Sequence, residues 1–485
     1  MSLLQEKIRE LQDVHDNGVK DISNTKYKSY DEIFHSSQDY ARVFSDYNQE
    51  IVTVILPNSI QYIEVMLACI LTGNIFNPIP YFTSDNELER IFNYVDPNLV
   101  ITDRQLPKKF KQNKLTYNPE TIVKDSKNTN FDSEFNSLGS DIAALYYSSG
   151  TTGNPKGVLY SHDNIFYLIE SINRGFGFTS NTKHFSILPF GHTASINYNI
   201  YPCLFSRSSL VVAESFSNIA PNFFKIISEE KINYTQLVPT IVYMLLKINY
   251  QIDQLNLNSL MFIGCGSSVL PKETQIQFQE KFDIKIANLY GLSETGPTHI
   301  DDPRDKEWAP GTIGLPLDVN TCKISEESEI LIKGKNVFVG YYKNQELYNQ
   351  VVKDDWFFTG DIVSYENGRY IYKDRSKDLI IKGGINIVPA EIEEVLYIHK
   401  DVHEAVAIGM SHDVLGEEII ASISLKDDSK DKSDIKAELY TLLSENLSSY
   451  KHPIDILFFD SLPKTHSGKL KRREVRRIIQ DEHNK

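Results

Sequence analysis

One turn narrows what this chain can be more than any other feature. Residues 146 to 158 read Tyr-Tyr-Ser-Ser-Gly-Thr-Thr-Gly-Asn-Pro-Lys-Gly-Val, directly after the apolar run Ile142-Ala143-Ala144-Leu145. An apolar strand emptying into such a loop is a phosphate cradle. Glycines let backbone N–H groups converge, hydroxyls add donors and a lysine supplies positive charge. Ser149, Gly150, Thr151, Thr152, Gly153 and Lys156 are the candidate phosphate ligands. It is not a Walker loop, which needs Gly-Lys followed by Ser or Thr; here Pro155 precedes Lys156 and Gly157 follows it. Taken alone, the segment also reads as a Ser/Thr/Gly surface turn.

Three further motifs follow in order. Asn288-Leu-Tyr-Gly-Leu-Ser-Glu-Thr-Gly-Pro297 puts an aromatic, a carboxylate and a hydroxyl within one turn. Magnesium on a nucleotide takes one or two protein carboxylates plus phosphate oxygens, and Glu294 is a candidate. Thr295 is a candidate phosphate donor, Tyr290 with Gly291 a candidate surface for the adenine. A capped loop with a solvated Glu294 is the plainer reading. Trp356-Phe-Phe-Thr-Gly-Asp361 ends on a carboxylate with no cation beside it in sequence. Pro463-Lys-Thr-His-Ser-Gly-Lys-Leu470 sets Lys469 behind Ser-Gly, a tight loop able to aim it. Read blandly, Lys469 is one more cation of a basic tail with Lys471, Arg472 and Arg473.

Together these motifs resemble those of the acyl-adenylate-forming enzymes, in the acyl- and aryl-CoA synthetase branch. The resemblance runs from roughly residue 50 to 476. It implies an α/β fold: a large N-terminal domain of two α/β layers plus a β-barrel subdomain, and a small mobile α+β C-terminal domain. It implies that Lys469, Glu294 and Thr151 serve catalysis, with Thr151 and Glu294 on Mg²⁺. Asp361 matches the family carboxylate on the ribose hydroxyls, and Arg375, in Asp374-Arg375-Ser376-Lys377, the arginine on ribose and phosphate. Lys377 matches the hinge between two poses of the C-terminal domain, and Gly383 and Gly384 the hairpin that pantetheine passes. Gly264-Cys-Gly-Ser-Ser268 resembles the loop lining the adenine and acyl pocket, which brings in Gly264 and Gly266. Leu188-Pro-Phe-Gly-His192 resembles the segment whose histidine sits by the acyl group, with Thr193 next to it. A lone histidine is as readily structural.

Length and composition agree with several subdomains. The chain has 485 residues, 41% hydrophobic and 24% charged, with a formal net charge of −15. That much acidity opposes a nucleic acid or an anionic membrane as partner. The four cysteines are scattered, with no CxxC pair, so neither a disulfide framework nor a zinc site is indicated and a cytoplasmic location fits. The charged start, Met1 to Glu10, lacks a signal-peptide core, and no integral membrane segment is expected. The run Ile60 to Leu71 reads as a buried helix, with Asn58 or Ser59 as N-cap and Gly73 as terminator.

Strand-like runs at Val52 to Leu56, Leu99 to Thr102 and Ser186 to Leu188 alternate with helical patterns at Asn164 to Ile172 and Thr240 to Ile248. This predicts parallel sheets in α/β layers. Residues 107 to 134 read as polar, lysine-rich surface loops with a short strand. From about residue 311 short strands dominate, and after residue 376 a compact α+β pattern begins. The domain division is therefore placed at 1–376 and 377–485.

The expected reaction is ATP-dependent activation of a carboxylic acid to an acyl-AMP, then transfer to coenzyme A. The cofactors are ATP, Mg²⁺ and coenzyme A as co-substrate. Thr193-Ala-Ser-Ile-Asn-Tyr-Asn199 carries no acid to pair a substrate ammonium, and an unpaired buried ammonium is costly, so amino acids are disfavoured. Fatty, branched and aromatic acids all remain. An acyl carrier protein is the alternative acceptor, since its phosphopantetheine presents the same arm. An adenylate-binding regulator without turnover is the alternative of another class. A homodimer is allowed for, not demanded.

Overall fold

The computed structural model describes residues 1–47, 50–97, 99–106, 115–119, 142–148, 155–267, 270–383, 385–412, 414–427, 431–464 and 470–483. Two large sheets carry the N-terminal part. In the seven-stranded one, Ile51–Ile55 lies between Ile75–Pro78 and Leu99–Thr102, all parallel. Every residue of these three strands is buried. That is why the sequence shows continuous apolar runs rather than alternation, as parallel strands covered on both faces require.

The nine-stranded sheet has the parallel core Ile286–Leu292, Phe262–Cys265, Tyr234–Leu237, Lys183–Ser186, Ser209–Val212 and Gly18–Asp21. The strand that the sequence places at Ser186 to Leu188 runs instead from Lys183 to Ser186. Leu188 leaves the ladder because its carbonyl accepts from the Asn58 amide, 2.9 Å away. Asn58 thus ties two segments together, and Ser59 alone caps the helix Ile60–Leu71, accepting from the Tyr62 N–H at 3.2 Å. That helix is buried on nearly every face, which explains its run of apolar residues without a polar side.

The short strands expected after residue 311 form a five-stranded antiparallel sheet. Trp356–Glu366 is its centre, flanked by Glu329–Gly334, Val352–Lys353 and Arg369–Arg375, with Asn320–Ile324 outside.

The C-terminal part folds around the long hairpin Val402–His412 and Gly416–Leu425. Ala405 and Ala407 face one core with helices Pro389–Ile398 and Lys432–Asn446. Val406 and Ile408 face the other way, onto Val475 and Ile479 of the helix Arg472–His483. Both faces of the strand are covered, each by its own alternate residues. No helix among the described residues is long and apolar enough to cross a membrane.

Candidate active site

A cavity of about 500 Å³ lies between the two parts of the chain. Asn288, Tyr290, Gly291, Asp361 and Arg375 line it from the N-terminal side; Lys464 and Leu470 line it from the C-terminal side. Asp361 is delivered by strand Trp356–Glu366 and stands opposite Arg375 on Arg369–Arg375. Its Oδ1 lies 2.6 Å from Arg375 Nε, and its Oδ2 accepts from the Tyr290 hydroxyl at 2.7 Å. Asp361 is 2% exposed. A buried carboxylate needs such partners, and the sequence hid them because both are distant along the chain. Burial and then the Asp361 charge push the Tyr290 phenol well above its ordinary range. Burial opposes the charge of Arg375, but Asp361 leads a group of neighbours that hold its pKa above the usual value.

The turn after Tyr290 places Glu294 under Tyr341. The Tyr341 hydroxyl donates to Glu294 Oε1 at 2.8 Å. Tyr341 also pairs with Val158 on the return strand of the glycine-rich turn. It therefore ties Glu294 to the candidate phosphate loop. The strands on either side of that loop are antiparallel neighbours, with Ser148 and Lys156 facing each other. A Walker loop runs on into a helix; this one returns as a strand. Lys156 opens that strand and is half-buried beside Arg90, Tyr341 and Lys343 in a second cleft. Ser149, Gly150, Thr151, Thr152 and Gly153 lie outside the described residues.

Thr295 departs from expectation. Its hydroxyl is fully buried, donates to the Gly296 carbonyl at 2.9 Å and accepts from the Leu292 N–H at 3.2 Å. The tight turn uses it internally, so it is not presented to a phosphate in this conformation.

The residues expected around the acyl group are not on the shared cavity. Gly264 sits in strand Phe262–Cys265, where a Cβ would lie 2.6 Å from the Tyr234 hydroxyl and 2.4 Å from Gln236 Oε1. Only glycine allows that approach. Gly266 packs against Leu289, which does line the cavity. His192 is half-buried with its ring 6.5 Å from that of Phe82, and Thr193 opens the short helix Thr193–Ser195. A π-helical turn, Ile196–Ile200, follows. Within it Asn199 is fully buried, and neither end of its amide meets a partner among the described residues.

Gly383 turns an exposed hairpin between Ile380–Lys382 and Ile385–Ile387, away from the cavity. Its φ of +59° favours glycine, and its N–H donates to the Leu415 carbonyl at 2.7 Å. Gly384 and Lys469 lie outside the described residues, although Leu470, next to Lys469 in sequence, lines the cavity. Lys377 lies in the single 3₁₀ turn Ser376–Asp378.

Two groups escaped the sequence reading. Tyr341 carried one signal, the small-aromatic-aromatic run Gly340-Tyr341-Tyr342. Arg472 reads as one cation of a basic tail, yet it is held by Glu393, with Nη2 at 2.8 Å from Oε2.

Glu294 fits a role on magnesium. It is 9% exposed, one oxygen rests on a neutral phenol, and no cationic side chain lies within ion-pair distance among the described residues. A lone carboxylate can complete the coordination of an ion that arrives on nucleotide phosphates. No cluster of three metal-binding side chains exists among the described residues.

The profile of the AMP-binding enzyme family matches residues 14–342, and that of the AMP-binding enzyme C-terminal domain matches residues 391–469. The long-chain-fatty-acid–CoA ligase of Bacillus subtilis is 34% identical over 366 residues, covering 70% of this chain and 62% of that protein. The indoleacetate–CoA ligase of Aromatoleum aromaticum is 30% identical over 349 residues, covering 69% of this chain and 67% of that one. Among solved structures, ATP-bound MatB from Rhodopseudomonas palustris superposes with a TM-score of 0.89 at 24% identity, covering 99% of both chains, a likeness of fold.

Proposed function

The chain belongs to the AMP-binding enzyme family, and from that premise we propose that it is an AMP-forming acid–CoA ligase. The substrate carboxylate attacks the α-phosphorus of ATP, pyrophosphate leaves, and the acyl-AMP then passes its acyl group to the thiol of coenzyme A with release of AMP. The observation that carries this reading is the shared cavity, where Asp361, Arg375 and Tyr290 face Leu470 across the two domains.

Each residue has a distinct task. Asp361, accepting from the Tyr290 hydroxyl and ion-paired with Arg375, offers the carboxylate for two ribose hydroxyls. Arg375 supplies positive charge next to it. Glu294 would hold a magnesium ion, which would neutralise phosphate charge, and the glycine-rich turn with Lys156 would cradle the phosphates. No general base is needed, because the attacking carboxylate is already ionised. Charge builds on the α-phosphate in the transition state, and Lys469 is assigned to meet it. At about 4 Å and an effective dielectric of about 20, that attraction is on the order of 4 kcal/mol. The division at 1–376 and 377–485 makes Lys377 the hinge about which the C-terminal domain changes face.

A neutral-bodied acid suits the chain: fatty, branched or aromatic. The relatives named for a long-chain fatty acid and for indoleacetate bracket this range. The segment Thr193 to Asn199 contributes Ser195, Asn197 and Asn199 as buried polar groups and no carboxylate. A reducing cytoplasm suits four free cysteines.

The test is ATP–pyrophosphate exchange with Mg²⁺ against fatty, branched, aryl and amino acids, repeated as CoA-dependent AMP release. Exchange with one acid class and AMP release only with CoA is the expected result. Exchange without CoA turnover moves the acceptor to a carrier protein. Absence of exchange with every acid, despite ATP binding, overturns the ligase reading.

A further inference from the structure

Arg472, three residues beyond Lys469, sits at the crossing between the domains. Its Nη1 donates to Glu393 Oε1 and, at 3.0 Å, to the Ala407 carbonyl. Its Nη2 donates to Glu393 Oε2 at 2.8 Å and reaches Asp374 Oδ2 at 3.4 Å. Glu393, Ala407 and Arg472 all belong to the C-terminal fold and are hydrogen-bonded to one another through Arg472. Asp374 does not: it belongs to strand Arg369–Arg375, ahead of the turn Ser376–Asp378. Its Oδ1 accepts from the Arg375 N–H at 2.7 Å, and its Oδ2 also accepts from the Ala390 N–H at 3.2 Å, in the first turn of helix Pro389–Ile398. Asp374 is 3% exposed.

Of these contacts, only two join the sides of the turn: Asp374 to Arg472 and Asp374 to Ala390. Rotation about the turn breaks both and leaves Arg472 on Glu393, still a paired charge. A carboxylate at a helix N-terminus beside a guanidinium is favourable. The 3.4 Å reach to Arg472 is long for a charge-assisted bond, so it is one that a domain rotation can undo. Meanwhile Lys464, whose ammonium grips Glu404, pairs with Leu470 in an antiparallel bridge, so the chain just before Arg472 is pinned to the same body.

We propose that Asp374 and Arg472 are positioning residues, a latch that holds the C-terminal domain in the pose where Lys464 and Leu470 face Asp361 and Arg375. This rests on the two-step reading above. The latch serves adenylation and opens for thioester formation. Neither residue touches reacting atoms in this role.

Asp374→Asn keeps the shape and removes the charge. Pyrophosphate exchange is expected to fall about 10-fold, the loss of roughly 1.4 kcal/mol, while thioester formation from supplied acyl-AMP stays within about twofold. Glu393→Gln, which disturbs the C-terminal fold itself, is expected to depress both half-reactions and the melting temperature. Equal loss of both half-reactions in Asp374→Asn with a lowered melting temperature shows a structural role and overturns the latch; so do two unchanged half-reactions. A readout independent of the acid keeps the two proposals separable. Spin labels at Glu214→Cys and Glu445→Cys, both exposed sites on opposite domains, report the pose with ATP alone. A second distance population is expected in Asp374→Asn; a distribution matching the parent overturns the latch, even if no acid supports exchange.

Discussion

Asp361 and Arg375 stand directly opposite one another on neighbouring antiparallel strands, with Oδ1 2.6 Å from Nε. Their spacing is set by the ladder, not by flexible side chains, so the pair is preorganised for a ligand that must meet both. Asp361→Asn retains the shape and removes the charge-assisted acceptor, an interaction worth about 1.5–3 kcal/mol. The KM for ATP should rise about 10- to 100-fold with a smaller change in kcat. Steady-state kinetics at saturating acid checks it, and an unchanged KM would put the ribose elsewhere.

Tyr341 orients Glu294 through one hydrogen bond. Tyr341→Phe removes about 1 kcal/mol of positioning, so the Mg·ATP concentration for half-maximal exchange should rise about fivefold. Glu294→Ala should raise it far more. A magnesium titration at fixed ATP separates them; an unaltered requirement in Glu294→Ala assigns the ion to other groups.

Lys469→Ala and Gly384→Leu should fail in opposite halves of the reaction. The first is expected nearly to abolish pyrophosphate exchange and spare thioester formation from supplied acyl-AMP. The second should spare exchange and block the step with CoA, because a side chain fills the path of the pantetheine arm. Parallel loss of both steps in either variant contradicts the assignment of two faces to two steps.

His184 lies fully buried among Phe178 and Tyr234, with neither ring nitrogen partnered among the described residues. Burial lowers its pKa to about 3. A folded-state value below the unfolded one near 6.5 means that only the unfolded chain takes up the proton as pH falls. Its stabilisation is therefore complete above about pH 6.5 and is lost progressively toward pH 3, by about 1.4 kcal/mol per pH unit. His184→Phe should remove that slope. Denaturant melts at pH 7, 6 and 5 give the measurement, and an unchanged slope would mean that His184 is protonated in the folded protein.

Much of the scaffold was legible because its signals are local. Helix Ile60–Leu71 coincides with its apolar run, and Ser59 caps it as side-chain chemistry suggests. Strand Leu99–Thr102 is equally plain, an apolar run that the ladder uses whole. Leu188 was misread because only a distant amide, that of Asn58, draws it out of the ladder. The site divided the same way. Tyr290, Gly291, Asp361 and Arg375 were legible as motifs and do share a cavity. What motifs could not supply was partnership: that Asp361 pairs across a ladder, that Tyr341 holds Glu294, and that Arg472 is gripped by carboxylates. Thr295 reads in sequence as a phosphate donor, whereas in this conformation its hydroxyl serves the turn, accepting from Leu292 and donating to Gly296.

The cavity has one wall from each part of the chain. A nucleotide dissociation constant measured on this protein is therefore a composite, the intrinsic constant divided by the fraction of molecules whose walls are together. Mutations remote from the nucleotide can weaken or tighten its binding by changing that fraction alone. Two homologues with identical pocket residues can differ in ATP affinity for no reason visible in either pocket.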